Sequence, residues 1–164
     1  MKVVTLSILS IIFMALVACS ESSAPESSEA KQSIAIEVFK SPSCGCCGLW
    51  VSHIEENGFD PTIRNRNSLD AIKKKLNIPA NMQSCHTGVT SDGYFFEGHI
   101  PAKHITAFIA NPPEGAIGLA VPGMPAGSPG MEMGDRFTPY EVLLVKADGS
   151  TEPFATVSSL EEQY

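Results

Sequence analysis

From residue 34 onward the spacing of apolar positions changes several times, and each change predicts an element. Ile34-Ala35-Ile36-Glu37-Val38-Phe39 is β-rich with few polar groups, which predicts a strand buried on both faces. Ser41-Pro42-Ser43 stops it, and Ser43 stands where a helix cap belongs. Cys47, Trp50, Val51 and Ile54 then recur at helical spacing up to Gly58, a C-terminal stop. A second strand fits Pro61 to Arg66. A second helix fits Ser68 to Asn77, with Leu69, Ile72 and Leu76 on one side and Lys73-Lys74-Lys75 as a solvated face. Cys85 to Thr90 and Tyr94 to Glu97 flank Ser91-Asp92-Gly93 and read as a hairpin. Pro101 opens a third helix carrying Ile105, Phe108 and Ile109, and Asn111-Pro112-Pro113 ends it.

The expected order is β-α-β-α-β-β-α, that of a thioredoxin-like α/β core, with the first strand running into a helix start that bears cysteines. Gly115 to Gly134 is rich in Gly, Pro and Met and is expected to be an ordered, irregular loop. Glu141 to Lys146 and Glu152 to Val157 predict a C-terminal β-hairpin across Ala147-Asp148-Gly149-Ser150. One domain from 34 to 157 and a short tail over 158–164 follow.

The residues ahead of that domain read as an export and anchoring segment. Lys2 gives a positive start, and Val3 to Ala18 is apolar but shorter than the ~20 residues a membrane span needs. Leu16-Val17-Ala18-Cys19 resembles the lipobox of bacterial lipoproteins, which implies a signal peptide over 1–18, lipidation of Cys19 and attachment to a membrane. Ser20 in place of Asp points to the outer membrane, with the domain facing the periplasm. SESSAPESSEAKQS over 20–33 has no large apolar residue and is expected to be a disordered tether spanning about 20 Å.

The formal net charge is −7, so nucleic acid is a poor partner. A domain of this size can build a core without staples, which turns attention to what its cysteines do.

With Cys19 assigned to lipid, Cys44, Cys46, Cys47 and Cys85 remain. On a regular helix Cys44 and Cys47 share one side, and Cys46 points about 160° away from Cys44. The free N–H groups and positive dipole end at a helix start favour thiolate, the form that binds metal and attacks disulfides. Thiolates prefer soft ions, Cu(I) foremost, and adjacent Cys46 and Cys47 suit a cluster in which sulfurs are shared. A single tetrahedral zinc is served less well. Cys85, at the start of the third strand, is the natural fourth sulfur. His86 joins it only if the strand is irregular there, because alternation sends neighbours to opposite faces.

His53 and His104 are expected on the surface, and His99 has no assigned role. Met124, Met131 and Met133 either pack the loop onto the domain or offer thioethers to Cu(I). Two other readings of the cysteines stay open. One is a pair of structural disulfides; the other is a thiol–disulfide oxidoreductase using Cys44 and Cys47, against which stand the third cysteine between them and the lack of a proline before Cys85.

Five segments in order, KSPSCGCCGLW at 40–50, SCHTG at 84–88, EGHIPA at 97–102, GLAVPGMPAGSPGMEMG at 118–134 and PYEVLLV at 139–145, resemble the CopG-type family of periplasmic proteins linked to copper resistance. The resemblance implies a thioredoxin-like domain that holds copper as a multinuclear thiolate cluster and changes its oxidation state during detoxification. It implies Cys44, Cys46, Cys47 and Cys85 as ligands, with His86 and Met124 beside them, and copper-export or resistance proteins as partners.

Overall fold

The computed structural model describes residues 33 to 164; the expected signal peptide, Cys19 and all but the last residue of the tether lie outside the described residues. The elements are β1 (Ile34–Lys40), α1 (Gly45–Glu56), β2 (Phe59–Asn65), α2 (Asp70–Lys75), β3 (His86–Thr90), β4 (Phe95–Glu97), α3 (Ala102–Ala110), β5 (Ala116–Ala120), β6 (Tyr140–Lys146) and β7 (Thr151–Val157). Single 3-10 turns stand at Ala80–Met82 and Glu161–Gln163. All the strands join one mixed sheet in the order β2-β1-β3-β4-β5-β6-β7. β1 runs parallel to β2 and antiparallel to β3, and β4 runs parallel to β5. Among the described residues no helix is long and apolar enough to cross a membrane.

Side-chain alternation along the strands divides the core between the two faces of the sheet. Phe96, Leu119 and Leu144 join Val38, Trp50, Ile54, Ile105 and Phe108 in the larger cluster, under α1 and α3. Their neighbours Phe95, Ala120 and Val145 point the other way and meet Ile78 and Met82. A fully buried Ile, Leu or Phe contributes about 1.5–3 kcal/mol by leaving water, so the larger cluster is the main source of stability.

The structure departs from the sequence reading at several points. β1 is covered on one face only: Ile36 and Val38 are buried, whereas Ala35 and Glu37 are exposed. The helices with which Ile36 and Val38 pack lie on a single side, and Glu37 on the other accepts a hydrogen bond from Arg64 of β2 at 2.6 Å. On α2 it is Lys73 that turns inward, while Lys74 and Lys75 stay in solvent. Residues 116–120, expected within an irregular loop, form β5 beside β4. Gly118 makes that approach feasible, because a Cβ there would run into the backbone oxygen and ring of Phe95. Within the tail, Gln163 is 1% exposed, accepts from the Tyr140 hydroxyl at 2.6 Å and donates to the Gly127 carbonyl at 2.8 Å.

Two histidines expected on the surface are packed instead. His53 is 8% exposed, and its Nε2 accepts the N–H of Ala102 at 3.0 Å, satisfying a free donor at the start of α3. His104 is half-buried against the Phe154 ring, and its Nε2 has no hydrogen-bond partner.

Two outcomes follow. Gly118→Ala should destabilise the domain by about 1–3 kcal/mol in denaturant unfolding, since the added methyl has no room. Burial holds His53 below the ordinary imidazole value of 6.5, opposed by Glu132 and Glu56, and burial lowers His104 as well. Above that value folded and unfolded chains both carry these rings neutral and their contribution is whole; below it the unfolded chain takes protons first. Unfolding free energy should therefore fall as pH drops below about 6.5, and His53→Ala should cost about 1–3 kcal/mol at neutral pH while flattening that fall.

Candidate metal centre

The antiparallel pairing of β1 with β3 sets Lys40 opposite His86. The chain leaving β1 and the chain arriving at β3 therefore lie side by side at one end of the sheet. Beyond Lys40 the backbone turns through Ser41-Pro42-Ser43, closed by the Cys44 N–H on the Ser41 carbonyl at 3.1 Å, and enters α1. The N-cap is Cys44 rather than Ser43, and it makes no side-chain capping bond; the Ser43 hydroxyl meets Ser41 Oγ at 3.0 Å.

Cys44 has extended backbone angles (φ −78°, ψ 98°), so the helical spacing that would send Cys46 far from it does not apply. Its Sγ lies 3.5 Å from that of Cys46. Cys44 and Cys47 are joined as a disulfide, while Cys46 and Cys85 are free. Cys85 comes just before β3 begins, and the four sulfurs of Cys44, Cys46, Cys47 and Cys85 all lie within 4.8 Å of one another.

Two imidazoles extend this set. His86 is fully buried, its ring tilted against Trp50 with centroids 4.3 Å apart, and its Nδ1 lies 3.4 Å from Cys85 Sγ. Since Cys85 stands outside the ladder, the alternation that would separate it from His86 does not govern the pair. His99, without an assigned role in the sequence, is also fully buried and sets Nε2 3.1 Å from the same sulfur. Its Nδ1 meets the Pro129 carbonyl at 2.8 Å. A carbonyl only accepts, so Nδ1 carries the proton and the Nε2 lone pair faces Cys85. Cys85, His86 and His99 bring one ligand atom each within 4.8 Å of one another.

Burial drives both imidazoles down, His86 well below its ordinary value and His99 below it, so each is held neutral, the form that ligates metal. Burial, and after it the charge of Cys46, pushes the Cys85 thiol up to about 11. A bound cation would have to displace the Cys85 proton.

The donor set fits a soft metal. Four sulfurs crowd one point, available together once the Cys44–Cys47 disulfide is reduced, and the His86 and His99 imidazoles adjoin Cys85, His86 through Nδ1 and His99 through Nε2. The Gly/Pro/Met loop lies close behind: Gly130, at φ 84°, passes so near α1 that a Cβ would sit 2.7 Å from both the Cys46 carbonyl oxygen and the Trp50 nitrogen. Met124 and Met133 are 54% and 60% exposed, so packing the loop onto the domain is not their role; Met131 is half-buried. Met124 follows Gly123, whose carbonyl accepts the Ser84 hydroxyl at 2.6 Å.

The profile of a family described as a protein of unknown function, DUF411, matches residues 82–131. Two solved structures described as copper resistance protein copG, forms 1 and 2, are 43% and 42% identical to the chain. They superpose with a TM-score of 0.73 in both cases, covering 78% and 77% of this chain and 100% of their own. The chain belongs to this family. No curated protein matches it. The CopG-type relatives, together with a Cys/His cluster able to hold metal, support a copper-handling role for the chain.

In the oxidised protein, a thiol-alkylating reagent should label Cys46 and Cys85 and spare Cys44 and Cys47. All four should become reactive after reduction, as read by peptide mass mapping.

Proposed function

We propose that this protein binds copper for resistance or handling, holding the ions in a thiolate cluster of Cys44, Cys46, Cys47 and Cys85. The observation that carries this is the convergence of four sulfurs within 4.8 Å of one another, with the buried imidazoles of His86 and His99 beside Cys85. Copper is here the cargo, and zinc is the weaker candidate because adjacent cysteines close poorly on one tetrahedral ion. His99, oriented by Pro129, and His86, whose Nδ1 lies beside Cys85, supply nitrogen donors, and exposed Met124 offers a thioether. Sulfur favours Cu(I), and imidazole also suits Cu(II), so the mixed set suits copper that changes oxidation state in place.

The Cys44–Cys47 disulfide gives this site a second state. Oxidised, the pair withholds two of the four sulfurs; reduced, it restores them. Copper loading on this reading requires prior reduction. The parallel pairing of β1 with β2, the antiparallel setting of β3 between β1 and β4, and the cysteines at the start of α1 support a thioredoxin-like reading of the first four strands and three helices. The apolar run ending in Cys19 supports a lipid-anchored form facing the periplasm, with outer-membrane attachment suggested by Ser20 and copper-export or resistance proteins as recipients.

A thiol–disulfide oxidoreductase is the second reading, and the Cys44–Cys47 disulfide favours it. Against it stands Cys46, whose sulfur is 3.5 Å from that of Cys44 and would compete for any mixed disulfide. Ser84, not proline, precedes Cys85.

Anaerobic titration of the reduced chain with Cu(I) should load several ions, and the disulfide form should load fewer. Cys46→Ser should lower the number bound. A reduced chain that takes up no copper but rapidly reduces insulin, with Cys46→Ser as active as the parent, would establish the second reading instead.

A further inference from the structure

β3 begins at His86, so Cys85 has no sheet partner to hold it in place. The backbone just before it is held by a buried charge pair. Lys73 of α2 is 4% exposed, and its ammonium donates to Glu97 Oε1 and, at 2.6 Å, to the Ser84 carbonyl. Glu97 of β4 is fully buried and accepts twice more, from the Ser84 N–H at 2.6 Å on Oε1 and from the Thr87 hydroxyl at 2.6 Å on Oε2. Both backbone polar groups of Ser84 are thus engaged by the pair, and the Ser84 hydroxyl is taken by Gly123. Three hydrogen bonds thus converge on the residue that precedes the fourth sulfur.

Stability alone is a poor explanation for such an arrangement. Desolvating two charges costs as much as their attraction returns, and well-packed apolar residues often serve a fold equally well or better. What apolar residues cannot do is grip an N–H and a carbonyl on the same residue.

We propose that Lys73 and Glu97 are positioning residues for the metal centre, fixing the Ser84–Cys85 backbone so that the Cys85 sulfur stands among the other three and against His99. Neither side chain is a ligand; both act through the peptide groups flanking Ser84. The affinity consequence rests on the copper reading above, whereas the placement of the sulfur does not.

The test compares the full-length parent, Glu97→Gln, and the double variant Lys73→Met/Glu97→Leu, which replaces the pair with apolar side chains. Two readouts are taken on reduced protein: Cu(I) affinity by competition under anaerobic conditions, and bridging of neighbouring thiols by a short bis-alkylating reagent, located by peptide mapping. The double variant should unfold cooperatively yet bind Cu(I) about 10- to 100-fold more weakly, the usual cost of removing the groups that orient a ligand. Its Cys85 should drop out of the bridged products while Cys44–Cys46 bridging persists, and Glu97→Gln should fall between it and the parent. A folded double variant with parental affinity and parental Cys85 bridging overturns the proposal and leaves the copper reading standing. Loss of Cys85 bridging in a protein whose parent binds no copper sinks the copper reading and upholds the positioning. If the double variant fails to fold, Glu97→Gln decides by the same two readouts, and parental values in both overturn the proposal.

Discussion

The antiparallel pairing of β1 with β3 is the constraint from which the chemistry of this protein follows. It lays the chain that runs out of β1 toward α1 beside the chain that runs into β3, with Lys40 opposite His86. Cys44, Cys46 and Cys47 come from the first of these, and Cys85 comes from the second. Neither segment could gather four sulfurs alone. Trp50 packs its ring tilted against His86 and donates its ring N–H to the Ile100 carbonyl at 2.9 Å. That bond ties α1 to the segment carrying His99.

An unusual share of the interior at this end is polar. His86, Thr87, Glu97 and His99 are all fully buried, and Lys73 nearly so. Burying such groups costs free energy unless each finds a partner. Most do: Glu97 has three donors, and His99 has the Pro129 carbonyl and Cys85. His86 Nε2 is the exception among them.

The Gly/Pro/Met segment links this end to the far side of the sheet. Gly130 lets it press against the first turns of α1, and Pro129 fixes the tautomer of His99. Gln163 holds the same segment from behind through the Gly127 carbonyl. The loop is thus bound at its middle, while Met124 and Met133 stay exposed. It orients His99 and presents thioethers to solvent with one stretch of chain.

Much of this was legible from residue order. The spacing of Trp50, Val51 and Ile54 marks α1, Ser91-Asp92-Gly93 marks the turn between β3 and β4, and Ala147-Asp148-Gly149-Ser150 marks the turn between β6 and β7, because periodicity and turn chemistry are local properties. Local reasoning also singled out Cys44, Cys46, Cys47 and Cys85 as one group of thiols. It could not see β5, whose five residues are too short to show a period and whose place depends on Phe95. Nor could it see that Lys73 turns inward, that His53 caps α3 or that His99 faces Cys85, since each is decided by a partner distant in the chain. The sequence by itself determined which ligand types are present and where the chain turns. Only the tertiary structure decided which of them meet, because burial and hydrogen-bond partnership belong to the packed sheet and helices and not to any one segment.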